Sequence, residues 1–173
     1  FQPIISASFV SLNSVPIDTI IQPNNNSAWV IEGDRRISWY NNSQIANPIA
    51  EGEWWGENNE EELFISIDRK IASDFKIKIN DQITLNILGK EIIGTVKNFR
   101  KVDYRDLSIN FAIIINSSFA NKLPYEYIGT LSSDLSINEI QLKILKQFPN
   151  ISVIKIGSIL SKISIILTKI LLA

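Results

Sequence analysis

The sequence predicts an α+β fold: a split α/β subdomain carrying an inserted antiparallel β-rich subdomain. Three observations predict it. Residues 125–156 read strand–helix–strand and bring no sheet partners of their own. The first forty residues hold two strand-like segments that can supply those partners. Residues 48–120 are dense in short strands and turns. The expected boundaries are 1–47 and 121–157 for the split subdomain, 48–120 for the insert, and 158–173 for a terminal amphipathic helix.

Pro3 to Leu12 is apolar and rich in β-branched residues, and predicts a strand. Asn13–Pro16 and Gln22–Ser27 are loop chemistry on either side of a short apolar stretch, Ile17–Ile21. Arg36–Tyr40 alternates and predicts a second strand, followed by a polar connection, Asn41–Asn47. Glu51, Glu53, Glu57, Glu60, Glu61 and Glu62 then place six carboxylates in twelve positions without a base. A calcium loop needs alternating Asp/Asn ligands and a glycine. Glu57 to Glu62 lacks both that spacing and the glycine, so a solvated surface accounts for it better. Within it, Trp54 and Trp55 follow Gly52 and offer an aromatic surface for a lipid, a peptide or a partner chain. Neighbours in a strand face opposite sides, so one of the pair is expected in the core and one outside.

Phe64–Ile67 predicts a short buried strand, and Asp68 is placed to cap a helix that ends near Phe75. Asn80-Asp81 marks a turn, Ile83–Leu88 alternates, and Gly89-Lys90 predicts a hairpin turn into Glu91–Val96. The loop from Asn98 to Asn110 carries Arg100, Lys101, Asp103, Arg105 and Asp106. Its signs balance, which favours a salt-bridged loop over an anion site. Phe111–Ile115 predicts a fully apolar strand. The expected core is Ile71, Phe75, Ile83, Leu85, Ile87, Val96, Phe111, Ile113 and Ile115.

Tyr125–Leu131 predicts a strand, and Ser136 with Glu139 predicts a capping box. The helix that follows ends at Pro149-Asn150, before a strand at Ile151–Ile156. From Ser158 to Leu172, seven aliphatic residues share one helical face. Such a helix is about 21 Å long, too short to span a bilayer.

Composition narrows the chemistry. Lys plus Arg is 17 and Asp plus Glu is 18, a net charge of −1, so no basic face argues for nucleic acid. There is no His and no Cys. Ser-His-Asp and Cys nucleophile machinery, common zinc sites and disulfides are therefore excluded within this chain. No carboxylate pair stands out as an acid/base couple, so no catalytic centre and no metal site are expected. The chain has no Met and starts at Phe1, which predicts a processed chain or a piece of a longer one. Ile supplies 34 residues, a bias that favours strands.

Three groups of residues go further. They are Glu51-Gly52-Glu53-Trp54-Trp55; the order helix, Asn80-Asp81, hairpin, Val96; and Arg100-Lys101-Val102-Asp103-Tyr104 followed by Asn110-Phe111. Together they resemble the extracytoplasmic domain of FtsX/MacB/LolC-type ABC transporter permeases. Leu123-Pro124-Tyr125-Glu126-Tyr127-Ile128 and Phe148–Ile154 are most similar to the YbbP-like branch. The resemblance covers roughly residues 48–170 and departs at Asn80, where the family usually has Gly, and at Tyr104, where it often has Trp or another aromatic.

The resemblance implies a porter-like α/β part with an inserted β-rich part, similar to the MacB periplasmic core. It implies a non-catalytic periplasmic domain of a bacterial inner-membrane permease. That permease would couple ATP-driven motion to extraction or export of a lipid, lipoprotein or other hydrophobic substrate. The implied partners are a cytoplasmic ATPase subunit, which would hold the ATP, and the membrane, through flanking segments absent from this chain. No cofactor is implied in this chain. The helix at 158–173 would be the membrane-proximal stalk, and Trp54, Trp55, Arg100, Lys101, Asp103 and Tyr104 the partner or substrate surface. The competing reading is a stand-alone extracytoplasmic binding module, an OB-like β domain without a transport role.

Overall fold

A computed structural model describes residues 1–20, 27–40, 47–56, 62–105, 108–132 and 136–154. The chain divides into two units, Phe1–Thr130 and Leu131–Ala173.

The first unit begins with β1 (Gln2–Leu12), β2 (Val15–Pro16), β3 (Arg35–Tyr40), β4 (Ile49–Gly52) and β5 (Leu63–Asp68). Helix α1 (Arg69–Asp74), β6 (Gln82–Ile87), β7 (Lys90–Arg100), β8 (Ile113–Asn116), α2 (Ser117–Ala120) and β9 (Glu126–Ile128) complete it.

Six of these strands close a ring. β1 pairs β3 antiparallel, β3 pairs β8 parallel, and β8 pairs β5 antiparallel. β5 pairs β7 parallel, β7 pairs β6 antiparallel, and β6 returns to β1 antiparallel. The fold is therefore mostly β, built on a closed six-stranded barrel. This corrects the expected fold class: there is no porter-like α/β layer, and the described helices are short. Two neighbouring strands from residues 1–40 and four from 63–116 make up one ring, so they share one core. The reason is physical. A barrel removes the exposed strand edges that an open sheet leaves.

Two long strands make closure possible. β1 and β7 each have eleven residues, about 36 Å of chain, enough to serve two neighbours along one edge. β1 gives one edge to β9 at Gln2–Ile4 and to β6 at Ala7–Leu12. β7 gives one edge to β6 at Lys90–Thr95 and to β4 at Asn98–Arg100. Each strand is irregular where it bends: the β1–β6 register slips between Phe9 and Ser11, and the β5–β7 register slips at Lys97.

Alternate residues fill the interior. Ile5, Ala7 and Phe9 of β1, Ile37 and Trp39 of β3, Ile65 and Ile67 of β5, and Ile113 and Ile115 of β8 share one core. Ile83, Leu85, Ile87 and Val96 complete it, joined by Ile71 and Phe75. All nine residues expected in the core are buried. β5 and β8 are buried on both faces, because a second small cluster of Ile4, Phe111 and Ile114 lies beside them.

Local signals were read correctly in several places. Asp68 caps α1, its Oδ1 accepting from Lys70 N–H at 3.0 Å. Asn80 takes the left-handed φ of +70° that the turn requires. The hairpin turn sits one residue earlier than expected, with Leu88 and Gly89 both at positive φ.

The second unit contains α3 (Ile137–Gln147), the helix expected after Ser136. Ser136 stands at the N-cap but its side chain makes no capping bond, so the capping box does not form. The strand expected at Ile151–Ile156 is absent over 151–154, which have no regular structure. β9 is shorter than the strand expected at Tyr125–Leu131. The proposed stalk at 158–173 and most of the acidic run, 57–61, lie outside the described residues. Among the described residues, no helix is long and apolar enough to cross a membrane.

Candidate functional site

The bulge at Lys97 decides what β7 presents. With strict alternation, Asn98 and Arg100 would share the inward face of Val96. The extra residue reverses the parity: Phe99 enters the core, and Asn98 and Arg100 turn to the outer side beside Ser66 and Asp68 of β5.

There Arg100 is 0% exposed. Its Nε donates to Ser66 Oγ at 2.8 Å and its Nη1 to Asn47 Oδ1 at 2.9 Å. Nη2 donates to the carbonyls of Phe111 at 2.9 Å and Ala112 at 3.3 Å. Every acceptor is neutral, and among the described residues no carboxylate is in ion-pair contact with this cation. Burial lowers its pKa to about 10, against the opposing pull of Tyr40, Tyr104 and Asp68, and it stays charged at neutral pH.

The network extends outward from this cation. Ser66 donates to Asn98 Oδ1, and Asn98 Nδ2 donates to the Glu53 carbonyl at 3.1 Å. Asn47 Nδ2 reaches Asn110 Oδ1 at 3.4 Å, and Asn110 Nδ2 donates to the Asp103 carbonyl at 2.7 Å. Tyr104 lies close enough to Asp68 to feel its charge. Burial, and then the nearby Asp68 carboxylate, push the Tyr104 phenol well above its usual range. The segment from Lys101 to Ala112 is tied back at both ends, by Lys101 N–H on the Pro48 carbonyl and by Arg100 on the Phe111 and Ala112 carbonyls.

Beside this segment lies a cavity of about 340 Å³. Trp29, Arg35, Arg36, Tyr104, Ile109, Phe111 and Ile128 form much of its wall. Trp29 and Tyr104, each 46% exposed, meet edge to face at 6.2 Å. The Arg35 guanidinium lies 5.9 Å from the Trp29 ring centre and donates to the Trp29 carbonyl.

The expected site residues separate. Arg100 and Tyr104 meet around Asp68, Arg100 as the internal anchor and Tyr104 at the cavity. Asp103 is at the surface, held by Arg105 in a two-pronged pair at 2.9 and 2.6 Å that keeps its carboxyl well below the usual range. Lys101 is exposed, and only its backbone is engaged, donating to Pro48 O at 2.9 Å. The salt-bridged loop expected here is therefore correct for Asp103 and Arg105 and incorrect for Arg100; Asp106 lies outside the described residues.

Trp54 and Trp55 do not face opposite ways. They follow the end of β4, where the strand alternation no longer applies, and stack at 4.0 Å with an interplanar angle of 26°. Both are half-buried against the Ile4, Phe111 and Ile114 cluster. Sequence reasoning missed Trp29, Arg35, Asn47, Ser66 and Asn98. One signal was available: Ser66 interrupts the apolar run Phe64–Ile67, and a buried hydroxyl requires a partner.

No family model and no solved structure matches the chain. Among curated proteins it is similar to the uncharacterized ABC transporter permease YbbP of Escherichia coli (strain K12), 24% identical over 163 residues. The similarity covers 94% of this chain and 19% of that protein, so the chain spans about a fifth of the length of the relative it matches. The chain is thus similar, over nearly all of its length, to a segment of an ABC transporter permease.

Proposed function

We propose that this chain is the periplasmic domain of an ABC transporter permease of the FtsX/MacB/LolC type, seated in a bacterial inner membrane. The similarity over 94% of the chain carries this reading, because it takes in the barrel, the Arg100-anchored segment and α3 together. The domain works as a non-catalytic coupling element. A cytoplasmic ATPase supplies the energy, and the domain transmits the resulting motion to a lipid, lipoprotein or other hydrophobic substrate. No cofactor of its own enters this scheme. A closed barrel suits that task, since a cross-linked core moves as one body.

In this reading the barrel bears load and an aromatic surface meets the substrate. Trp54, Trp55 and Tyr104 supply aromatic area with little entropy to lose, which fits an apolar partner. The test uses the intact permease with its ATPase in lipid vesicles. Replacing residues 1–130 by a flexible linker should leave the complex assembled and abolish substrate-dependent stimulation of ATP hydrolysis. Stimulation that survives the replacement contradicts the reading.

A further inference from the structure

The cavity beside Tyr104 has a lining unlike the rest of the chain. Arg35 and Arg36 contribute two cations, and among the described lining residues there is no Asp or Glu, although acids outnumber bases in the sequence. Trp29, Tyr104, Phe111 and Ile128 supply its apolar wall. Pockets with an apolar body and a few convergent polar groups are where small molecules bind.

We propose that this cavity is a binding site for a small organic anion: one carboxylate or phosphate monoester on a single aliphatic or aromatic body. Arg36 provides the main charge, because its only ion-pair contact among the described residues, with Glu126 at 4.0 Å, is long and exposed. Arg35 is held in place by the Trp29 and Asp34 carbonyls and keeps Nη2 for the ligand. Size sets the body. A volume of about 340 Å³ lies at the small end of ligand pockets and suits one short chain with its head group. That suits a single-chain ligand better than a two-chain lipid or a lipoprotein anchor, so this ligand differs from the transported substrate proposed above. The inference rests on the cavity itself and holds with or without the permease reading.

The test titrates the purified 173-residue chain with decanoate, decyl phosphate, decanol and decyltrimethylammonium, each below its micelle concentration, followed by calorimetry and tryptophan fluorescence. Decanoate or decyl phosphate should bind at least about tenfold more tightly than the cationic probe, the scale of a lost charge-assisted hydrogen bond. Whichever of the two anions binds more tightly identifies the head group. Arg36→Gln, a change at an exposed side chain that leaves the barrel intact, should weaken the anion about tenfold and leave decanol unaffected. Trp29→Phe should remove the fluorescence response. Equal binding of anion and cation, no binding by the folded chain, or an Arg36→Gln variant that binds the anion as wild type does would each overturn the site. None of these outcomes bears on the ATPase experiment.

Discussion

Arg100 Nε donates to Ser66 Oγ at 2.8 Å, and the same hydroxyl spends its single proton on Asn98 Oδ1. The serine is thereby fixed in direction, accepting from a cation on one side and donating to an amide on the other. Two strands, β5 and β7, are joined on their outer side by this relay in addition to their parallel ladder. Removing either end leaves polar atoms buried without a partner, and that costs more than the bond itself was worth.

Arg100→Leu should therefore destabilise the chain by about 3–5 kcal/mol, since Ser66, Asn47 and two carbonyls lose their donor together. Ser66→Ala should cost less, about 1–3 kcal/mol. Urea denaturation of both variants checks the order. Asp103→Ala, which breaks a fully exposed pair, should leave the transition midpoint where it is. An Arg100→Leu midpoint equal to that of wild type would refute the anchor.

Phe111→Ala should cost about 3–5 kcal/mol. Its ring is buried with Ile4 and Ile114, and its carbonyl holds Arg100. Because Phe111 also lines the cavity, the variant should enlarge it and loosen the Lys101–Ala112 segment. Faster amide exchange in that segment than in β6 is the expected signature.

Gly52 and Gly89 both have positive φ, at +77° and +86°. A Cβ on Gly52 would come within 2.3 Å of the Lys97 carbonyl, whereas one on Gly89 meets nothing within 4 Å. Gly89→Ala should cost only the left-handed strain, about 1 kcal/mol. Gly52→Ala must in addition push the bulge at Lys97 aside, and so should be the more damaging of the two. Thermal melts of the two variants decide it, and equal losses would place β4 wrongly.

Tyr104 makes a prediction for alkaline solution. Burial and Asp68 hold its phenol protonated in the folded chain, so the unfolded chain ionises first as pH passes about 10. The stability Tyr104 contributes is complete below that pH and is lost as pH rises towards the higher folded value. Tyr104→Phe removes this dependence. The free-energy difference between wild type and variant should stay constant from pH 7 to 9 and shift above about 10, the variant losing less. Parallel curves through that range would show that burial and Asp68 do not hold the Tyr104 phenol protonated.

What the sequence disclosed, and what it withheld, follows from the range of the forces involved. Asp68 as a cap, Asn80 as a left-handed turn and the alternation in Ile83–Ile87 are local, set by a few neighbouring residues. Closure depends on β1 meeting β6 and on β3 meeting β8, pairings across 70 residues or more that no local pattern encodes. The expected α/β layer failed for that reason: the N-terminal strands found barrel partners instead of the 125–156 unit, apart from the short β9. Arg100 was visible as a charge, but the one-residue bulge at Lys97 decides that it faces Ser66, and a bulge leaves no trace in composition. Trp29 follows Gln22–Ser27, which reads as loop, so its place opposite Tyr104 is a tertiary outcome.

The most direct measurement is the side of the membrane on which the barrel lies. The chain has no Cys, so one introduced at Ile93, 61% exposed on β7, reports from a unique position once any cysteines elsewhere in the intact permease are replaced. Spheroplasts carrying that Ile93→Cys permease should react fully with a membrane-impermeant maleimide, before any permeabilisation. Reaction only after the membrane is opened would put the barrel in the cytoplasm and contradict the account of a periplasmic coupling domain.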